Sequence, residues 1–107
     1  MKQTIVIYEG KNGKSPFWQW LTKLRDKKGR AVIKARIERL RLGNFGNCRT
    51  VGSGIEELKI YFCPGYRVYF GKDSDRIVIL LCGGDKSTQK DDIILAKQLW
   101  REYQDAD

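Results

Sequence analysis

The sequence predicts one α+β domain over residues 1–107, a mainly antiparallel twisted sheet with two N-terminal helices and a C-terminal helix packed on it. Three observations predict it. Strand-like runs and helical spacings follow one another in the order β-α-α-β-β-β-α, which fits an antiparallel sheet covered by helices. A chain of 107 residues has the length of a single domain and can bury roughly 65% of its unfolded surface. Hydrophobic residues at 41% against 32% charged put it among folded chains.

Thr4–Tyr8 is a β-branched run and reads as the first strand. Ser15 and Pro16 then suit an N-cap and the first helical position. The spacing of Phe17, Trp20, Leu21 and Leu24 predicts a helix to about Asp26, with Trp18 off its apolar face. "DKKG" breaks that pattern. A second helix follows from about Arg30 to Leu42, with Ile33, Ile37 and Leu40 as its stripe and Gly43 as its stop.

"NFGNCRTVGSG" reads as a loop. "ELKIYFCPGYRVYF" (57–70) reads as two strands around a Cys63-Pro64-Gly65 turn. Alternation puts Leu58, Ile60, Phe62, Tyr66, Val68 and Phe70 on one face, and Glu57, Lys59, Tyr61, Arg67 and Tyr69 on the other. Arg76–Cys82 is apolar on both faces, as a central strand covered on both sides would be. The last helix runs from about Gln89 to Tyr103 on Ile93, Ala96, Trp100 and Tyr103, with Thr88 and Asp91 at capping-box spacing.

Composition narrows the chemistry. Histidine is absent, which removes the commonest metal ligand and the commonest general base. Cys48, Cys63 and Cys82 have no metal spacing and no C-x-x-C pair, so reduced thiols, no metal and no cofactor are expected. No apolar run reaches the ~20 residues of a membrane span, and the N-terminal apolar run is too short for a signal peptide. A cytoplasmic protein is therefore expected. Residues 1–54 carry 13 Lys/Arg against 3 Asp/Glu, a balance of +10, and residues 55–107 carry 8 against 10, a balance of −2. The basic half fits a polyanion or an acidic protein as partner, or simply a solvated helix surface.

The polar hairpin face holds the candidate site. Opposite charges paired across strands can be solvent-facing decoration. Tyr61 and Tyr69 beside Lys59 and Arg67 also suit base stacking and phosphate neutralisation. "GGDKS" brings Lys86 to the same sheet edge, and its two glycines permit a sharp, anion-cradling turn. "GGDKST" lacks the spacing of a nucleotide-binding phosphate loop.

"GIEELKIYFCPGYRVYF" (54–70), "RIVILLCGGDKSTQKDDI" (76–93) and the last helix with Trp100 resemble the RelE/ParE superfamily of type II toxins. The likeness is strongest to its HigB-related addiction module killer group, phage-derived and Gp49-like. It implies a compact ribonuclease-like toxin fold, a helix-turn-helix antitoxin as cognate partner, and operator DNA bound only through the toxin–antitoxin complex. In the RelE branch it implies cleavage of messenger RNA, usually on the ribosome. Lys59, Arg67 and Lys86 match or stand near that branch's catalytic cations. "QKDDI" lacks the tyrosine or histidine often found there, and Glu57 stands where RelE has a second strand lysine.

These residues outline a mechanism. Arg67 would clamp the phosphate, Lys86 would neutralise the leaving group or a flanking phosphate, and Glu57 or Lys59 would take the 2′ proton. Tyr61 and Tyr69 would stack bases. Lys34, Arg36, Arg39 and Arg41 would dock ribosomal RNA. Two other readings use the same residues: a ParE-like inhibitor of DNA gyrase, and a nucleic-acid-binding module without toxicity.

Overall fold

The computed structural model describes residues 1–106. Its elements are β1 (Thr4–Ile7), α1 (Pro16–Lys23), α2 (Lys27–Arg41), β2 (Cys48–Gly52), β3 (Ile55–Ile60), β4 (Tyr66–Ser74), β5 (Ile77–Gly84), a 3-10 turn (Lys86–Thr88) and α3 (Gln89–Asp105). The sheet is five-stranded in the order β1-β5-β4-β3-β2. It is mixed: β1 runs parallel to β5, and the remaining pairs are antiparallel.

The α+β class is as expected, but the chain has one more strand than the sequence predicts. β2 forms where a loop was expected. Gly52, Ser53 and Gly54, all with positive φ, make the tight reversal that folds it back onto β3. Glycine adopts such angles without a steric cost.

α1 starts where Ser15 accepts a hydrogen bond from the Trp18 amide. α2 begins earlier than the apolar spacing indicates, because Asp26 caps it by accepting from the Gly29 amide at 2.9 Å. The same carboxylate accepts from the Tyr66 hydroxyl at 2.7 Å, tying the helix to the sheet. The Thr88–Asp91 capping box does not form. The box lies one turn earlier, between Asp85 and Thr88 around the 3-10 turn, and the Thr88 hydroxyl donates to Asp92.

The sheet is covered on both faces. Phe17 and Leu21 of α1 and Ile33 and Leu40 of α2 meet Leu58, Ile60, Val68, Phe70, Val78 and Leu80 on one face. Ala96, Leu99 and Trp100 of α3 meet Ile55, Tyr69, Ile79, Leu81 and Cys82 on the other. The β5 residues divide between the two cores as a central strand requires. The expected faces of the hairpin hold, with Leu58 opposite Val68 and Lys59 opposite Arg67. Its polar face, however, is the one under α3. Among the described residues, no helix is long and apolar enough to cross a membrane.

Gly83 and Gly84 belong to β5 and form no cradle. A Cβ on Gly83 would run into the Trp20 ring, and one on Gly84 into Asp92 and Thr88. Glycine is required here for close approach, and the backbone amides stay in the sheet.

Candidate functional site

Two rows of paired residues cross the α3 face of the sheet. Register places Arg49, Glu57, Tyr69 and Cys82 in the first row. Lys59, Arg67 and Gly84 form the second. α3 covers the first row at Tyr69 and Cys82. Beyond the start of α3, a cleft of about 470 Å³ is lined by Asn47, Cys48, Arg49, Glu57, Lys59, Tyr61, Arg67 and Gln89.

Glu57 lies at the floor, 1% exposed. A buried carboxylate this deep needs partners to stay ionised. It has three, each at 2.9 Å: Arg49 Nε donates to Oε1, and the Tyr69 hydroxyl and Gln89 Nε2 donate to Oε2. Burial pushes the Glu57 pKa up, but the bonds from Gln89, Arg49 and Tyr69 together outweigh it and hold the carboxyl below its ordinary range. Tyr69 is pushed the opposite way, first by burial and then by the carboxylate it bonds.

Arg67 is 5% exposed and stands beside this carboxylate, with Nε 3.9 Å from Glu57 Oε2. One terminal nitrogen donates to the Gly65 carbonyl at 2.7 Å. Its Nε is buried and has no hydrogen-bond partner. Lys59, directly opposite, lies with Nζ 5.1 Å from the centre of the Tyr61 ring, a cation–π distance. Like charges facing each other across a strand pair destabilise it, so this pair needs another reason to exist. Arg49, Lys59 and Arg67 against Glu57 alone, three positive charges against one negative, leave the cleft cationic. Such a surplus of positive charge is suited to an anion.

The remaining expected residues fall at different distances from this centre. Tyr61 is 69% exposed at the cleft mouth and offers an open ring. Tyr69 is fully buried, so the expected stacking surface is closed; its hydroxyl serves Glu57 instead. Glu57 was expected as a proton acceptor, yet both its oxygens are occupied. Lys86 is exposed on the 3-10 turn and does not line the cleft. Lys34, Arg36, Arg39 and Arg41 belong to α2, which packs on the opposite face of the sheet. Lys34 and Arg39 are exposed, Arg36 is half-buried, and Arg41 pairs with Glu38.

Arg49 and Gln89 were not expected. Arg49 sits in the strand read as a loop, and the "GSG" reversal before "IEELKI" was the signal that could have placed it. Gln89 lies in a stretch noticed for the aromatic it lacks. Neither nearby thiol is poised as a nucleophile. Burial, aided by Glu56 and opposed by Arg36, pushes Cys48 up to about 11. Burial and Asp92 push Cys82 up to about 12. Among the described residues, no group of three or more His, Cys, Asp or Glu side chains could hold a metal ion.

A larger cleft of about 740 Å³ lies between Tyr8–Pro16 and the end of α3. Among the described residues, none with a buried unpartnered polar atom lines it, so the smaller cationic cleft is the better candidate for chemistry.

Residues 19–101 match the family described as phage-derived protein Gp49-like (DUF891). A Haemophilus influenzae protein described only as uncharacterized is 52% identical over 86 residues, spanning 80% of this chain and 87% of that one.

Proposed function

The chain belongs to the Gp49-like phage-derived family, a toxin-like family associated with toxin–antitoxin modules, and on that premise we propose that it is the toxin of a type II module. Its activity is that of a RelE-like endoribonuclease that arrests translation by cutting messenger RNA. The observation that carries this reading is the buried Arg67, its Nε unpartnered at the floor of a cleft with surplus positive charge.

In the proposed reaction the scissile phosphate lies against Arg67, whose planar fork matches phosphate oxygens. The ribose 2′ hydroxyl gives its proton to solvent hydroxide and the 2′ oxygen attacks phosphorus. The bond from phosphorus to the 5′ oxygen breaks, and the leaving oxygen takes a proton from the Lys59 ammonium, which solvent restores. The products are a 2′,3′-cyclic phosphate and a 5′ hydroxyl. Fixed cations aimed at the developing charge supply the acceleration, and removing one such donor typically costs about 10²–10³ in rate. Tyr61 stacks a flanking base. Lys86 takes a flanking phosphate. Lys34, Arg36, Arg39 and Arg41, on the far face, meet ribosomal RNA through phosphate contacts. A cognate antitoxin, of helix-turn-helix type, neutralises the toxin.

One observation favours a second reading. Among the described residues, the one carboxylate lining the cleft already accepts three hydrogen bonds, which ill suits it as a base beside the cations. A protein-binding toxin of the ParE kind, acting on DNA gyrase, would need none. Incubating purified protein with translated and free messenger RNA separates the two. Cyclic-phosphate ends support the nuclease, whereas intact RNA with loss of DNA supercoiling on expression supports the gyrase inhibitor.

A further inference from the structure

Among the described residues, Glu57 is the one acidic group lining the cationic cleft, and an arginine stands on either side of it. Oε1 takes Arg49 Nε at 2.9 Å from edge strand β2, and Oε2 lies 3.9 Å from Arg67 Nε on β4. The Tyr69 hydroxyl on β4 and the Gln89 amide on α3 fix the same carboxylate. The hydrogen bond to Arg49 uses Nε alone. Its two terminal nitrogens have no hydrogen-bond partner among the described residues, and the side chain is 62% exposed.

An exposed ion pair holds a long side chain only weakly. A carboxylate held rigidly by two further donors changes that, because Arg49 then meets a fixed acceptor. A planar guanidinium held at Nε turns its two terminal nitrogens outward in a fixed fork. Both arginines border one cleft. The carboxylate bonds Arg49 Nε and lies 3.9 Å from Arg67 Nε, which leaves both terminal nitrogens of Arg49, and the one on Arg67 not bonded to Gly65, for a second anion.

We propose that Glu57 is a positioning residue that sets Arg49 and Arg67 as two arms of one phosphate clamp, and that Arg49 contacts the substrate phosphate directly. This rests on the cleft being a phosphate site, and it assigns the second arm to Arg49, with Lys86 outside the clamp. Glu57 acts through the arginines and transfers no proton.

The test uses a short single-stranded 2′-O-methyl oligoribonucleotide, which binds but has no free 2′ hydroxyl to react, titrated at several salt concentrations. Arg49→Ala is expected to weaken binding about tenfold. It should lower the slope of log affinity against log salt by about 0.7, the value of one single-strand phosphate contact. Arg49→Lys keeps the charge and loses the fork, so it should recover the slope and only part of the affinity. Glu57→Gln removes a negative charge, and charge alone predicts tighter binding; positioning predicts weaker binding. In the Arg49→Lys background, Glu57→Gln should cost less than in the wild type, because only its effect through Arg67 is left to lose.

Wild-type affinity and slope for Arg49→Ala, or tighter binding for Glu57→Gln with an unchanged melting curve, would overturn the clamp. If Glu57→Gln unfolds, the exposed Arg49 variants still decide. Arg67→Ala separates the two levels: unchanged binding there defeats the phosphate-site reading itself. Weakened binding there with unaffected Arg49 variants defeats only the second arm.

Discussion

Arg67 Nε lies 3.9 Å from Glu57 Oε2, buried and without a hydrogen-bond partner. A buried donor left unpaired costs about 1–3 kcal/mol, and such atoms in native proteins point to a ligand, a water or a functional role. Glu57 does not depend on this contact, since Arg49, Tyr69 and Gln89 already bond it. Arg67→Ala is therefore expected to keep the fold, with near-wild-type circular dichroism and melting, while RNA cleavage falls by at least about 10².

Tyr69→Phe tests the floor of the cleft. The substitution removes a buried hydroxyl that donates to a carboxylate at 2.9 Å, and a hydrogen bond to a charged group contributes about 1.5–3 kcal/mol. Denaturant unfolding should show a lower midpoint with an unchanged slope. Equal midpoints would mean that Glu57 does not need this donor.

The bonded Glu57 also sets an acid limb. Its folded pKa lies below its ordinary value because its three donors outweigh burial. A lowered carboxylate pKa stabilises the fold above the unfolded value, about 4.3, and this stabilisation is lost as pH falls through the folded value. Other carboxylates contribute too, so the useful quantity is a difference. Melting temperatures of wild type and Glu57→Gln should differ at neutral pH and converge below about pH 4.3. A gap constant down to pH 3 would contradict the bonding described.

Tyr61 is exposed at the cleft mouth beside Lys59. Base stacking on an aromatic is worth about 1–3 kcal/mol by alanine substitution. Tyr61→Ala should weaken binding of a single-stranded oligoribonucleotide about tenfold, and Tyr61→Phe should retain most of the affinity. Equal losses in both would point to the hydroxyl.

Gly83 is fixed by Trp20, whose ring occupies the space a Cβ would need. Overpacking a core typically costs about 1–3 kcal/mol. Gly83→Ala should lower stability in denaturant unfolding, and Trp20→Leu should restore part of it. An anion-cradle role for the glycines would instead show as lost RNA binding at unchanged stability.

Much of this was legible in the chain. The alternation of Leu58, Ile60 and Val68 against Glu57, Lys59 and Arg67 set the two hairpin faces, and period two settles that locally. What covers each face is a long-range matter. Nothing local to "RVYF" tells that α3 closes over Tyr69 but stops short of Lys59 and Arg67. That one fact turned an expected stacking ring into a buried donor. Lys86 is two residues past Gly84, which pairs with Arg67, yet the 3-10 turn leaves it outside the cleft lining. Closeness in sequence misled there. Arg49 was missed because its strand is short and ends in a glycine-rich reversal, so the charge opposite Glu57 stayed hidden until β2 paired.

The central claim is that Arg67 and its neighbours bind and cleave a phosphodiester of messenger RNA. Regulated expression of wild type and Arg67→Ala, followed by primer extension on one translated message, tests it most directly. The account predicts discrete new 5′ ends and growth arrest with wild type, and neither with Arg67→Ala at equal protein level. Growth arrest by wild type with no new ends, or the same ends from Arg67→Ala, would contradict it.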